Sequence, residues 1–155
     1  MHPGYSAWSQ VHAESYAALL RSLDDLAVLQ ASHRVHIAPE NMGSWECCHF
    51  RSPELLQELR EREFGYTLDI GHAHLNKKVH AFLAEYPPVH VHLHDNGGEI
   101  DDHSACGTGS IDFNEVLPLL PSDVPRIIEV TSFGDFGSSL DFLQNSVERP
   151  VLMDD

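Results

Sequence analysis

Residues 89–94 read Val89-His90-Val91-His92-Leu93-His94, an unbroken alternation of aliphatic and imidazole side chains. Successive side chains of a β-strand point to opposite faces, so this segment predicts a strand with one apolar face and one face of histidines. The same parity recurs in three other segments. Arg34–Glu40 sets His36, Ala38 and Glu40 against Val35 and Ile37. Tyr66–Ile70 sets Thr67 and Asp69 against Leu68 and Ile70, and Arg126–Val130 sets Ile127 and Glu129 against Ile128 and Val130. Each predicted strand offers an aliphatic face to covering helices and carries an ionisable residue near its C-terminal end.

Helical stretches separate these strands. Ser9–Ala31 places Tyr16, Leu19, Leu20, Leu23, Leu26 and Leu29 at helical spacing. Ser52-Pro53-Glu54 combines a capping hydroxyl, a first-turn proline and an acid at the positive end of the dipole, predicting a helix to about Glu63. Further helices are expected at Asn76–Glu85, at Phe113–Leu120 behind an Asp112 cap, and at Ser138–Asn145, with a glycine-rich loop over Asp95–Ser110. Strands alternating with helices imply an α/β fold, a parallel sheet with right-handed crossovers. The 155 residues are expected to form a single domain.

Composition narrows the function classes. Twenty-four acidic residues against nine basic ones give a formal charge of −15, which disfavours phosphate backbones as partners. No apolar run approaches the roughly 20 residues of a membrane span. No secretory leader is recognisable at Met1-His2-Pro3-Gly4, and three cysteines without metal-type spacing read as reduced thiols of a cytoplasmic protein. Twelve histidines are an unusual share, and histidine is the commonest metal ligand.

Parity brings Glu40, Asp69, His92 and Glu129 to one end of a parallel sheet, where α/β barrels build their active sites. Three carboxylates packed together repel and resist ionisation unless a cation joins them. Mixed oxygen and nitrogen donors suit a divalent ion: Mn²⁺, Zn²⁺, Co²⁺ or Mg²⁺. A second group, His72, Asp101 and His103, admits two readings: another metal site, or a solvated polar loop beside a substrate-contacting His72.

These motifs resemble the xylose isomerase-like TIM barrels, the superfamily of endonuclease IV (AP endonuclease family 2) and of sugar or sugar-phosphate isomerases and epimerases. The resemblance is carried by Ala38-Pro39-Glu40-Asn41-Met42, Thr67-Leu68-Asp69-Ile70-Gly71-His72, His92-Leu93-His94-Asp95-Asn96, Asp101-Asp102-His103 with Gly107-Thr108-Gly109-Ser110-Ile111-Asp112-Phe113, and Ile127-Ile128-Glu129-Val130. It implies a parallel (β/α) barrel of TIM type with Glu40, Asp69, His92 and Glu129 as ligands of the shared metal. In the epimerase branch it further implies Glu40 and Glu129 as the catalytic acid–base pair and His72 as a substrate contact. In the endonuclease branch His72, Asp101 and His103 match the ligands of a further zinc, and His2 matches a ligand at the end of the preceding strand. His36, His74, His90 and His94 have no such match and are read as barrel-interior or rim residues.

A complete member has eight strands in roughly 250 residues. The four strand/helix units here correspond to the C-terminal half, a half-barrel with unpaired edges. Such a half is expected to pair with another half, as a homodimer or with a separate partner, or to be a fragment. Three functions follow. The first is a metal-dependent sugar or sugar-phosphate isomerase or epimerase working through a metal-stabilised enediolate. The second is an endonuclease IV-like AP endonuclease, which the acidic mouth disfavours. The third is a truncated remnant without turnover.

Overall fold

The computed structural model describes residues 4–147 other than residue 46, with side chains described over residues 10–146. Helix α1 spans Gly4–His33; a 3₁₀ turn at Pro53–Leu55 leads into α2, Leu56–Glu61. Strand β1 (Thr67–Asp69) runs into α3 (Ile70–Leu75) and α4 (Val79–Leu83). Strand β2 (His90–Leu93) is followed by α5 (Phe113–Val116) and a second 3₁₀ turn, then β3 (Arg126–Ile128) and α6 (Phe133–Val147). The strands form a parallel sheet in the order β1-β2-β3.

Register carries the alternation into three dimensions. Asp69 lies beside His92, and His92 beside Ile127. The predicted aliphatic face holds where it can be checked most stringently: Leu68, Ile70, Val91 and Leu93 are fully buried with Leu59, Phe82 and Phe113 from the covering helices. Each such side chain contributes about 1.5–3 kcal/mol on burial. By contrast β3 is thinly covered. Ile127, Phe133, Phe136 and Leu140 stay exposed along its side.

Several expected boundaries move. The strand expected at Arg34–Glu40 is not a strand; only Glu40 makes an isolated parallel bridge, to Thr67. Pro39 accepts from the Thr67 N–H but has no N–H of its own to return to a ladder. A side chain continues the pairing instead. Asn41, fully buried, donates Nδ2–H to the Asp69 carbonyl at 3.0 Å and accepts the Asp69 N–H on Oδ1 at 2.7 Å. The second strand ends at Asp69 rather than Ile70, because the Asp69 carboxylate caps α3 by accepting the His72 N–H. The helix expected at Asn76–Glu85 forms only over Val79–Leu83, after Lys77 at φ 56°, and α3 precedes it where no helix was expected. Phe113–Leu120 is α-helical only to Val116, before Pro118. Helix α6 starts earlier than expected, behind a Ser132–Asp135 reciprocal cap. No described helix is long and apolar enough to cross a membrane.

The long loop after β2 is held from inside. Buried Asp95 accepts four backbone N–H groups, from Asn96 and Ile111 on Oδ1 and from Gly107 and Gly109 on Oδ2. Its own backbone exchanges both hydrogen bonds with Ser104 at 2.9 Å. Gly109 is obligatory here, since a Cβ would stand 2.4 Å from the Asn96 carbonyl and the Asp95 carboxylate. The consequence is a loop tied to Asp95 at both ends, and Asp101 and His103 lie in it. Asp95→Ala is expected to lower the urea-unfolding free energy by roughly 3 kcal/mol or more, since each bond to a charged group is worth about 1.5–3 kcal/mol. A loss below about 1 kcal/mol would show that the loop holds itself.

Candidate metal centre

The first cluster is Glu40, Asp69, His92 and Glu129, whose ligating atoms all lie within 4.8 Å of one another. Its members come from the β1-edge bridge, β1, β2 and the residue following β3. The Glu129 N–H bonds the Leu93 carbonyl at 3.0 Å, so the last side chain stays in register. His92 Nδ1 stands 2.9 Å from Glu129 Oε2, 3.4 Å from Glu40 Oε2 and 3.9 Å from Asp69 Oδ2. Close as they are, Asp69 Oδ2, His92 Nδ1 and Glu129 Oε2 are all buried without an aligned hydrogen-bond partner. Unsatisfied buried polar atoms are costly, and three converging on one small volume fit a cation between them. Three carboxylates and one imidazole are a hard, mostly anionic donor set, suited to a divalent metal ion.

Asp69 is the deepest member. Burial alone would raise its pKa, but a hydrogen bond with His94 and the charges of His94 and His72 hold it below the ordinary value. Its two oxygens face different ways. Oδ2 faces the first cluster, while Oδ1 accepts the His72 N–H and lies 3.1 Å from His94 Nε2.

A second cluster lies on that other side: His72, His94, Asp101 and His103. The alternative of a solvated loop does not describe it, because Asp95 pins the loop and Asp101 Oδ1 is buried without a partner. His72 Nε2 is 3.0 Å from Asp101 Oδ2, and its Nδ1 lies 2.9 Å from the Asn41 carbonyl and 3.3 Å from Glu40 Oε1. Burial opposes charge on His72; the Glu40 contact, Asp69, the Asn41 carbonyl and Asp101 outweigh it and push its pKa up to about 9.

Seven of the eight expected site residues therefore fall into two adjoining clusters; His2 lies outside the described residues. Sequence reasoning missed His94, read as a rim or interior residue. It is fully buried, and parity with His92 was the available signal. Gly71 makes room for it, since a Cβ there would sit 2.1 Å from the His94 ring. His36 is exposed, and His74 pairs with Ser110 Oγ away from both clusters. The surface clefts, one lined by Leu56, Arg60 and Tyr86 and another by His74, Val79 and Ile111, contain none of the eight clustered residues.

The family model for the xylose isomerase-like TIM barrel matches residues 1–145. The chain belongs to that family. Two uncharacterized proteins of Methanocaldococcus jannaschii are similar. MJ1614 is 40% identical over 117 residues, 74% of this chain and 46% of its own length. MJ1311 is 30% identical over 131 residues, 77% of this chain and 45% of its own. Among solved structures, a D-tagatose 3-epimerase-like protein is 29% identical with a TM-score of 0.74, covering 83% of this chain and 53% of that one. The TTHB071 protein from Thermus thermophilus, soaked with ZnCl₂, is 26% identical with a TM-score of 0.70, covering 91% and 57%. The chain spans about half the length of the curated relatives it matches. Its three-stranded parallel sheet with covering helices is accordingly part of a barrel.

Two outcomes are expected of the metal-free protein. Mn²⁺ should raise the melting temperature of the chelator-treated chain, and Asp69→Ala should sharply reduce that shift, as read by calorimetry. The folded pKa of His72, about 9, lies above its ordinary 6.5. Its stabilisation is thus complete below pH 6.5 and lost as pH rises through 9. Urea unfolding of the metal-free protein should weaken over that window, and His72→Gln should flatten the dependence.

Proposed function

We propose that the chain supplies the metal-binding and proton-transfer side of a sugar or sugar-phosphate isomerase or epimerase, with Glu40 and Glu129 as the proton-transfer pair. The observation that carries this reading is the division of exposure within the first cluster. The Asp69 side chain is fully buried and His92 is 18% exposed, whereas Glu40 is 31% and Glu129 44% exposed. A substrate entering from solvent meets the two glutamates first. They approach the same imidazole nitrogen, Glu129 at 2.9 Å from the end of β3 and Glu40 at 3.4 Å from the bridge beside β1.

A divalent ion held by the four residues would stabilise the negative charge that develops on a carbonyl oxygen and its neighbouring hydroxyl. One glutamate then removes the proton beside the carbonyl and the other delivers a proton to the opposite face or the adjacent carbon. Asp69 and His92 hold the floor of the site and exclude water from below. The similarity to a D-tagatose 3-epimerase-like protein supports this class of substrate. The edge strand β3, with Ile127 exposed, fits closure by further strands, from a second copy or a partner half.

Phosphodiester hydrolysis is the second reading, because His72, Asp101 and His103 come together beside the first cluster. The charge of −15 weighs against it. So do the ion pairs of the two clusters, which among the described residues involve only histidines and carboxylates.

The Mn²⁺-loaded chain, incubated with ketohexoses or their phosphates in D₂O, should exchange deuterium onto the carbon beside the carbonyl. Glu129→Gln should slow that exchange by about 100-fold or more. Strand cleavage at an abasic site without any deuterium exchange would overturn the proposal in favour of the nuclease.

A further inference from the structure

We propose that His94 closes the second cluster into a four-coordinate zinc site, three imidazoles and one carboxylate, that clamps the fold and leaves no position for substrate. This goes beyond the sugar-enzyme reading and does not depend on it. The resemblance to the endonuclease branch implied three ligands, His72, Asp101 and His103, and tetrahedral zinc takes a fourth. The structure fills that position from β2's C-terminal end.

The orientation of the three rings is the first argument. His72 Nδ1 donates to the Asn41 carbonyl at 2.9 Å, His103 Nδ1 to the Glu129 carbonyl at 3.0 Å, and His94 Nδ1 faces the Asp95 carbonyl at 3.4 Å. A carbonyl can only accept, so each Nδ1 keeps a proton and Nε2 is the nitrogen on which a metal ion would replace a proton. The Nε2 atoms of His72 and His103 turn toward Asp101, and that of His94 stands 3.1 Å from Asp69 Oδ1 and 3.8 Å from Asp101 Oδ1. Hydrogen bonding of the outer ring nitrogen is how proteins fix the tautomer and aim of metal-ligating histidines.

Spacing is the second argument. Two ligands about 2.0–2.1 Å from one tetrahedral zinc stand roughly 3.4 Å apart. Asp101 Oδ1 is 3.8 Å from His94 Nε2 and 3.7 Å from His103 Nε2, while Asp101 Oδ2 is 3.0 Å from His72 Nε2. The Asp101–imidazole distances thus lie within a few tenths of an ångström of that spacing, and all four ligating atoms lie within 4.8 Å of one another. The orphaned atom of this cluster is Asp101 Oδ1, the one between His94 and His103.

The fold holds these rings at a cost. His103 adopts φ 48°, a left-handed conformation disfavoured for a residue with a Cβ. The His94 and His103 rings stack 4.0 Å apart at 11°. Zinc chemistry suits the donors: imidazole-rich, four-coordinate sites favour Zn²⁺, and a site with four protein ligands is structural rather than catalytic. The carboxylate-rich first cluster then remains the reacting one.

The test is Co²⁺ substitution of the full chain carrying Glu129→Gln, which weakens the first cluster but leaves the second intact. Strong four-coordinate visible absorption at one equivalent is expected. Adding His94→Asn should weaken Co²⁺ and Zn²⁺ binding by about 100-fold or more and replace that spectrum with a weak, higher-coordinate one. If His94→Asn misfolds, X-ray absorption on the zinc-loaded Glu129→Gln chain decides, with three imidazoles, one oxygen and no water expected. Two imidazoles, or a bound water, would overturn the proposal. So would an unchanged cobalt spectrum in His94→Asn accompanied by weaker Mn²⁺ binding at an intact first cluster, which would make His94 a positioning residue for Asp69. Any of these failures leaves the deuterium-exchange test untouched.

Discussion

The carboxylate of Asp69 is the constraint around which the rest is arranged. It is fully buried, an expensive place for a charge, and four different groups justify its position. Oδ1 accepts the His72 N–H and so starts α3 directly from the end of β1. The same oxygen meets His94, while Oδ2 is left for the first cluster. Asn41 locks the Asp69 backbone from the other side. A single residue therefore terminates a strand, nucleates a helix and joins two clusters of ligating groups. Moving it would disturb all three at once.

A similar economy governs the loop between β2 and α5. Sixteen residues of irregular chain over 95–110 would ordinarily be mobile, and mobile ligands bind metals poorly. Asp95 removes that freedom by gathering four backbone N–H groups, two of them from glycines that let the chain approach closely. Gly71 does the corresponding service for His94, since only a missing Cβ leaves space for the ring. These are structural devices whose product is functional: rings and carboxylates with one available direction each.

The acidic excess takes on a different meaning in this setting. Seen from the composition, −15 is a statement about unsuitable partners. Inside the fold, Glu40, Asp69, Glu129 and Asp101 are packed around histidines whose charge compensates them when no metal does, which is why His72 and His94 are driven toward the imidazolium form. Protons and divalent cations thus compete for the same groups. Stability, metal affinity and pH become linked quantities in this protein.

The amino-acid sequence by itself determined the parity of the strands, because alternation every second residue is a local property of an extended chain. From it came the aliphatic face of Leu68, Ile70, Val91 and Leu93 and the convergence of Glu40, Asp69, His92 and Glu129. Local capping chemistry likewise announced the start at Asp112, whereas at Ser52-Pro53 a 3₁₀ turn begins and the Ser52 hydroxyl bonds Glu54 instead of capping. Strand ends were less legible. Whether Ile70 continues β1 or starts α3 depends on Asp69 capping a turn, and whether Arg34–Glu40 is a strand depends on a ladder that Pro39 cannot complete. Only the tertiary structure decided that His94 joins His72, Asp101 and His103. Those four residues are brought together by the β1–β2 register, by the space at Gly71 and by the loop that Asp95 gathers. Each of these is a contact between segments far apart in the chain, and no periodicity within one segment encodes it.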